Sequence, residues 1–257
     1  MQPLKLCLMQ AQTRWHDPAG NRQLLAKWFD ELSDEVDVVV LPEMFSTGFT
    51  MACAEVFETM QGETVSWLKD EADHQNRVIC GSMVIKDGGS YYNRFLWVQP
   101  DGVVHSYDKR HCFRMGGEHK HYTAGSRRAV FEWRDWRICP MICYDLRFPV
   151  FFRNREDYDA IICVANWPGV RRQAWNTLLR ARAIENQVYA AGANVVGKDG
   201  NGVDYTGGSA GYGPDGSILG EVFNTPQLLM VDLDPEPLLE LRKSFPVWQD
   251  ADPFELQ

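Results

Sequence analysis

The chain has 257 residues, 45% of them hydrophobic and 24% charged, enough apolar sequence to bury a sizeable core in one domain spanning residues 1–257. A net charge of −9, with no block of Lys and Arg to offset it, excludes long-range attraction to a phosphate backbone, so no nucleic-acid partner is expected. The seven cysteines are odd in number and scattered through apolar runs such as Ile161-Ile162-Cys163-Val164, unlike a disulfide framework; with no signal peptide and no bilayer-length apolar run, a cytoplasmic protein without a membrane partner is expected.

Apolar runs rich in β-branched residues alternate with helical patterns, which predicts an α/β fold. Leu4 to Gln12 reads as the first strand. Asp17-Pro18 supplies an N-cap and a first-turn proline for a helix whose apolar stripe is Leu24, Leu25, Trp28, Phe29 and Leu32. Val36 to Leu41 is the next strand, ending at Pro42-Glu43. A second helix covers Thr64 to Gln75, and strands follow at Arg77–Ile85, Tyr91–Val98 and Val103–Asp108, joined by turns at Asp87-Gly88-Gly89 and Asp101-Gly102.

Lys109 to Arg127 has little periodicity and carries His, Gly and charge, as a long functional loop would. Strands return at Ala129–Trp133 and Arg137–Ile142. After Cys143 the pattern predicts a short helix near Phe148–Asn154, a strand at Ala160–Ala165, a long helix at Arg172–Gln187 and a strand at Val188–Val195. The remainder reads as a β-meander with turns at Asp199-Gly200-Asn201-Gly202 and Pro214-Asp215-Gly216, closed by a short helix from Asp234-Pro235. The segments Asp37–Pro42 and Asp159–Pro168 echo one another, each a strand that follows a helix and ends at a proline, which points to two similar halves.

Reactive groups in α/β sheets sit beyond the carboxyl ends of strands. Four polar stretches occupy such positions: Glu43, Lys109, Cys143, and Asn166-Trp167. A base, a cation and a thiol could therefore converge. Cys143 is set apart from Cys7, Cys80, Cys139 and Cys163 because a strand delivers it and a helix is expected to start just after it, at Asp145-Leu146-Arg147-Phe148-Pro149. A helix N-terminus and a nearby cation would lower its thiol pKa. Taken singly, each of these residues has a bland alternative: a buried structural cysteine, a solvated glutamate, a surface lysine.

Three segments in this order, Leu41-Pro42-Glu43-Met44-Phe45, Tyr107-Asp108-Lys109-Arg110-His111 and Ile142-Cys143-Tyr144-Asp145-Leu146-Arg147-Phe148-Pro149, resemble the nitrilase superfamily of carbon–nitrogen hydrolases, and the resemblance runs nearly the length of the chain. It implies a four-layer α-β-β-α sandwich of the nitrilase type, a homodimer, and a Glu–Lys–Cys triad at Glu43, Lys109 and Cys143. It further implies a thioester on Cys143, an oxyanion held by Lys109 and the Tyr144 N–H, a supporting carboxylate at Glu118, and no metal or organic cofactor. The bland alternative for Glu118 is an ordinary loop carboxylate.

Wording around these motifs is similar to the omega-amidase branch, which deamidates 2-oxoacid monoamides such as 2-oxoglutaramate and 2-oxosuccinamate. It includes Val164-Ala165-Asn166-Trp167-Pro168, Trp175, Leu178-Leu179, Ala181-Arg182-Ala183-Ile184-Glu185-Asn186-Gln187 and Asp199-Gly200-Asn201-Gly202. Two positions depart from that branch: Val195 stands where an arginine is expected and Gly208 where an aspartate is. A monoamide of a dicarboxylate needs a cation for its distal carboxylate, and Arg147, Arg171 and Arg172 are the candidates by position, against the alternative of solvated or ion-paired side chains. Trp167 and Trp175 could line the pocket or belong to the core.

Other readings compete. His105, His111, Cys112, His119 and His121 crowd one segment, but their spacing matches no familiar zinc motif. A catalytically silent binding protein of the same fold would not need the triad, whereas an N-carbamoyl amino-acid hydrolase or a nitrilase would use the same three residues with a different pocket.

Overall fold

A computed structural model of the chain describes residues 1–256; Gln257, the end of the expected domain, lies outside the described residues. Strand β1 (Leu4–Gln10) shows how the layers arise: Leu4, Leu6 and Leu8 point into one apolar cluster while Cys7 and Met9 point into another. With a side-chain period of two, a strand apolar at every position is buried on both faces. Val38, Val39 and Val40 of β2 (Val38–Val40) divide between the same two clusters in the same way.

The first sheet has the order β13-β1-β2-β3-β4-β5, where β3 is Val78–Asp87, β4 Ser90–Val98, β5 Val104–Asp108 and β13 Gln227–Leu233. Its outer face is covered by α1 (Pro18–Phe29) and α3 (Glu63–Gln75), through Leu25, Phe29, Val65, Leu68 and Ala72. A single turn, α2 (Cys53–Val56), lies between them in sequence. The second sheet runs β10-β11-β9-β8-β7-β6, with β12 also paired to β11; β6 is Phe131–Trp133, β7 Trp136–Ile142, β8 Ala160–Val164, β9 Tyr189–Ala193, β10 Val196–Lys198, β11 Asp204–Tyr212 and β12 Ile218–Phe223. Helix α4 (Arg172–Asn186) packs on β9 and β11 with Trp175, Leu179 and Ala183. Gly192 on β9 makes this approach possible, since a Cβ there would sit 2.5 Å from Leu179 and 2.7 Å from Trp175. The result is the four-layer α-β-β-α sandwich, with the main core between the two sheets.

Helix ends follow the expected chemistry. Asp17 caps α1 by accepting from the Gly20 N–H at 2.9 Å, and Asp234 caps α5 (Pro235–Ser244) by accepting from the Glu236 N–H at 2.9 Å. No described helix is long and apolar enough to cross a membrane.

Two expectations need correction. No helix forms over Phe148–Asn154: Phe148 precedes a proline, which disfavours the helical region, and the chain instead makes a five-residue 3-10 turn at Cys143–Arg147 followed by hydrogen-bonded turns from Pro149. The strand expected at Val188–Val195 forms as β9, and the short β10 follows it outside that range. The C-terminal strands are not one meander, because β13 leaves β12 and pairs antiparallel with β1 in the other sheet.

Candidate active site

Strands from both sheets deliver the polar residues to one place. Glu43 lies just past β2, Asn93 on β4, Lys109 just past β5, Cys143 just past β7 and Asn166 just past β8. The Lys109 ammonium donates to Glu43 Oε1 at 2.9 Å and to both oxygens of Glu118 at 3.0 Å. All three residues are at most 1% exposed. Asn93 Nδ2 donates to Glu43 Oε1 at 2.8 Å and to Glu118 Oε1 at 3.3 Å, bridging the two carboxylates from below. The ring of Phe49 faces the ammonium at 5.3 Å.

The two glutamates differ in what they have left to accept. Glu118 takes two bonds from Lys109, one from Asn93 and one from the Phe113 N–H, which fills the roughly four lone-pair positions of a carboxylate. Glu43 takes Lys109 and Asn93 on Oε1 but only the Asn166 N–H, at 2.8 Å, on Oε2, so one acceptor position stays open. The Asn166 side chain donates to the Glu43 carbonyl at 2.6 Å and fixes the backbone as well. Glu43 can therefore receive a proton, while Glu118 is saturated and can only hold Lys109.

Burial works against the charge on Lys109, but Glu118 and then Glu43 outweigh it and keep the ammonium well above the usual lysine range. Burial also pushes the Glu118 carboxyl up, with Lys109 opposing.

Cys143 leaves β7 with φ +48°, in the left-handed region that a non-glycine residue occupies only when its surroundings impose it. The residue keeps partial solvent access, yet its sulfur is closely enclosed by protein atoms. Burial pushes the thiol well above its ordinary range, Glu43 adds to the push and Lys109 opposes it. The expected lowering by a helix N-terminus is thus corrected: the turn that follows is too short to carry a useful dipole, and burial beside a carboxylate wins. In the resting protein the thiol holds its proton, with an acceptor nearby. Tyr144 N–H is the second amide of that turn, one of the first amides that a 3-10 turn leaves without an internal partner.

Around this centre, the Arg147 guanidinium lies over the Trp167 ring at 4.8 Å and Arg171 over Phe113 at 5.5 Å. Arg172 instead lies over Phe223 of β12 at 5.2 Å. Among the described residues none of the three has an ion-pair partner. Trp167 is held by Asn194 through its N–H at 2.8 Å, and its indole N–H donates to the Arg171 carbonyl. Trp175 is fully buried and donates to the Gly208 carbonyl at 2.6 Å, so it belongs to the core.

Val195 is buried, and Gly208 sits in a β-bulge at φ +94° where a Cβ would press on Trp175 and Asn176 at 3.3 and 3.2 Å. At that position an aspartate would be strained, so the departure there follows the backbone. His105 stacks on Phe131 and His111 on Phe148, and the described residues contain no group of three His, Cys, Asp or Glu that could hold a metal.

Sequence reasoning missed Asn93, Phe49, Phe113 and Tyr205. Asn93 left a signal, a lone amide inside the apolar strand Tyr92-Asn93-Arg94-Phe95-Leu96. Tyr205, buried and donating to Asp199 at 3.1 Å, lies within electrostatic reach of Glu43 and Cys143, but only the pairing of β10 with β11 brings it there.

The sequence matches the carbon–nitrogen hydrolase family over residues 5–243. It is 46% identical to omega-amidase YafV of Escherichia coli (strain K12), with all of both chains covered. It is 30% identical to 2-oxoglutaramate amidase of Bacillus subtilis (strain 168), covering 94% of this chain and 95% of that one. Its fold superposes with a TM-score of 0.98, at 44% identity and full coverage of both chains, on XC1258 from Xanthomonas campestris, a CN-hydrolase superfamily protein with an arsenic adduct in the active site. With the fold, the order of the motifs and these relatives in agreement, the chain belongs to the carbon–nitrogen hydrolase family.

Proposed function

We propose that the protein is an omega-amidase, a single carbon–nitrogen hydrolase domain that converts 2-oxoacid monoamides such as 2-oxoglutaramate and 2-oxosuccinamate to the dicarboxylate and ammonia. The observation that carries the mechanism is the single open acceptor position on Glu43, whose other positions are held by Lys109, Asn93 and the Asn166 N–H. Glu43 takes the thiol proton as Cys143 Sγ attacks the amide carbon, so sulfur need never be a free thiolate at rest. The oxyanion that forms is held by the Lys109 ammonium and the Tyr144 N–H. Glu118 binds the ammonium with both oxygens, so one N–H can turn to the oxyanion while the other bonds persist.

Collapse of the tetrahedral intermediate breaks the carbon–nitrogen bond, and protonated Glu43 gives its proton to the departing ammonia. A thioester remains on Cys143. Water then gives a proton to Glu43 and its oxygen to the acyl carbon, the same donors hold the second oxyanion, and the proton returns to sulfur as the acid leaves. No metal or organic cofactor enters any step.

Arg147 and Arg171 are the groups for the distal carboxylate: each is half-buried, lies flat on an aromatic ring and lacks a carboxylate partner among the described residues. Arg172, turned toward β12, is the weakest of the three candidates. Of the alternatives, a nitrilase shares the chemistry but needs no cation for a carboxylate, whereas an N-carbamoyl amino-acid hydrolase also binds a carboxylate and is separated by the assay below.

Ammonia release from 2-oxoglutaramate, 2-oxosuccinamate, glutamine, an N-carbamoyl amino acid and a simple nitrile tests the reading, with Cys143→Ala as control. The 2-oxoacid amides are expected to turn over fastest, and Lys substitutions at Arg147 and Arg171 to raise their KM. Turnover by Cys143→Ala, or preference for the nitrile or the carbamoyl compound, would overturn it. The odd number and scatter of the cysteines support a cytoplasmic location, and the family resemblance supports a homodimer. The exposed side chains Ile184, in the last turn of α4, and Phe245, whose carbonyl accepts from the Gln187 side chain just beyond it, offer the dimer an apolar surface that size-exclusion chromatography can test.

A further inference from the structure

Two residues beyond Cys143, the carboxylate of Asp145 is fully buried and accepts four hydrogen bonds. Its Oδ2 takes the Ile142 N–H at 3.1 Å and the Tyr107 hydroxyl at 2.8 Å; its Oδ1 takes the His111 N–H at 3.0 Å and the His111 ring Nδ1 at 2.8 Å. An ionised carboxylate only accepts, so the His111 Nδ1 carries a proton. Among the described residues His111 is its only ion-pair partner.

The donors are not a random set. Ile142 immediately precedes the nucleophile at the end of β7 in the second sheet. Tyr107 and His111 stand two residues before and two after Lys109, at the end of β5 in the first sheet. Tyr107 OH in turn accepts from the Arg110 N–H at 3.0 Å, and the His111 ring is clamped by stacking on Phe148 at 4.0 Å and 9°. One buried carboxylate thus ties the backbone that presents the thiol to the backbone that presents the ammonium, across the gap between the sheets.

We propose that Asp145 is a positioning residue that sets the distance between Cys143 and Lys109, with Tyr107 and His111 as its arms; this rests on the reading of those two residues given above. The physical reason is acceptor count. An asparagine at 145 has the same shape but one acceptor oxygen, and its NH2 must face either the Ile142 N–H or the His111 N–H. Whichever way it turns, a buried backbone donor beside the nucleophile or the lysine loses its partner and the two strand ends are no longer pinned together. Displacements of about 1 Å at such a point cost about a hundredfold in rate.

The test compares Asp145→Asn and Tyr107→Phe with the wild-type protein for kcat and KM on 2-oxoglutaramate, thermal midpoint, and the rate of Cys143 alkylation by iodoacetamide. The expected result for Asp145→Asn is a kcat about a hundredfold lower with KM within about threefold, and alkylation about tenfold slower. Tyr107→Phe, which removes one donor and keeps the carboxylate, should lose about tenfold in kcat, and it decides the matter alone if Asp145→Asn does not fold. A kcat within threefold of wild type would overturn the proposal. So would a loss of activity that tracks the thermal midpoint while alkylation of Cys143 is unchanged, since that is the pattern of general structural damage. Cys143→Ala is run in parallel: activity there would overturn the assignment of the nucleophile, an outcome distinct from a failure of the clamp.

Discussion

Replacing Lys109 with methionine, similar in length and uncharged, would leave Glu43 and Glu118 facing each other without the cation they share. Glu43 Oε1 and Glu118 Oε1 both lie within 3.0 Å of Nζ, so they are at most about 6 Å apart. At roughly 5 Å and an effective dielectric of about 20, their repulsion is about 3 kcal/mol, equivalent to about two pKa units. Added to burial, this favours keeping one proton on the pair above the ordinary carboxylate range, the titration belonging to the pair and not to either residue. A carboxyl whose folded pKa is raised gives its full stability below its unfolded value of about 4, and loses it as pH rises through the folded value. The variant should therefore be about 3–5 kcal/mol less stable than wild type near pH 8, and that deficit should shrink by about 2–3 kcal/mol toward pH 5. In the wild-type protein the raised Lys109 pKa obeys the same sign in a higher pH window: its contribution is full below the ordinary lysine value and is lost only as pH rises through a still higher one. Urea denaturation of both proteins at several pH values reads this directly. A deficit equal at pH 5 and pH 8 would refute the reasoning, because it would mean the two carboxylates do not feel each other.

Two further outcomes follow from the same electrostatics. Because burial and Glu43 hold the Cys143 thiol high, its alkylation by iodoacetamide should keep accelerating with pH beyond about 9, and a plateau near neutrality would indicate a preformed thiolate. Burial would raise the Asp159 carboxyl, but hydrogen bonds from Arg137 and Arg242 at 2.7–2.8 Å outweigh it and hold the group below its ordinary value. Asp159 therefore stabilises the fold above about pH 4, and that contribution is lost as pH falls through its folded value. Asp159→Asn should cost about 2–3 kcal/mol at pH 7, the low end for a buried pair because Arg137 is partly exposed, and the difference from wild type should vanish in acid unfolding below about pH 3.

How much of this was readable beforehand depended on distance along the chain. Glu43 and Cys143 each follow a strand visible as an apolar run, and Lys109 follows a more polar one set off by the Asp101-Gly102 turn, so the rule that reactive groups sit past strand ends pointed to them without any contact information. Glu118 has no strand behind it and was reachable only through the family resemblance. The clamp at Asp145 was hidden because its partners lie 34 and 38 positions away, and Asn93 because nothing local tells a bridging amide from a tolerated one. The missing helix at Phe148–Asn154 was a local error: the apolar spacing outweighed Pro149 in the reading, though not in the chain. The fate of β13 was a long-range one, since its pattern suits either sheet and only the vacant side of β1 decides.

That last pairing has a consequence for how the protein is made. Leu4 of β1 lies opposite Leu233 of β13, and Gln10 opposite Gln227, so β1, once synthesised, must wait for more than two hundred further residues before its second neighbour exists. Until then one edge of the first sheet presents unpaired amides and carbonyls along an apolar strand, the kind of edge that recruits other chains. Closure of this fold is thus a late and non-local step, and such steps are slow. Chains truncated before residue 227 retain every residue of the catalytic proposal yet keep that edge open, so they should be lost to aggregation rather than persist as smaller enzymes.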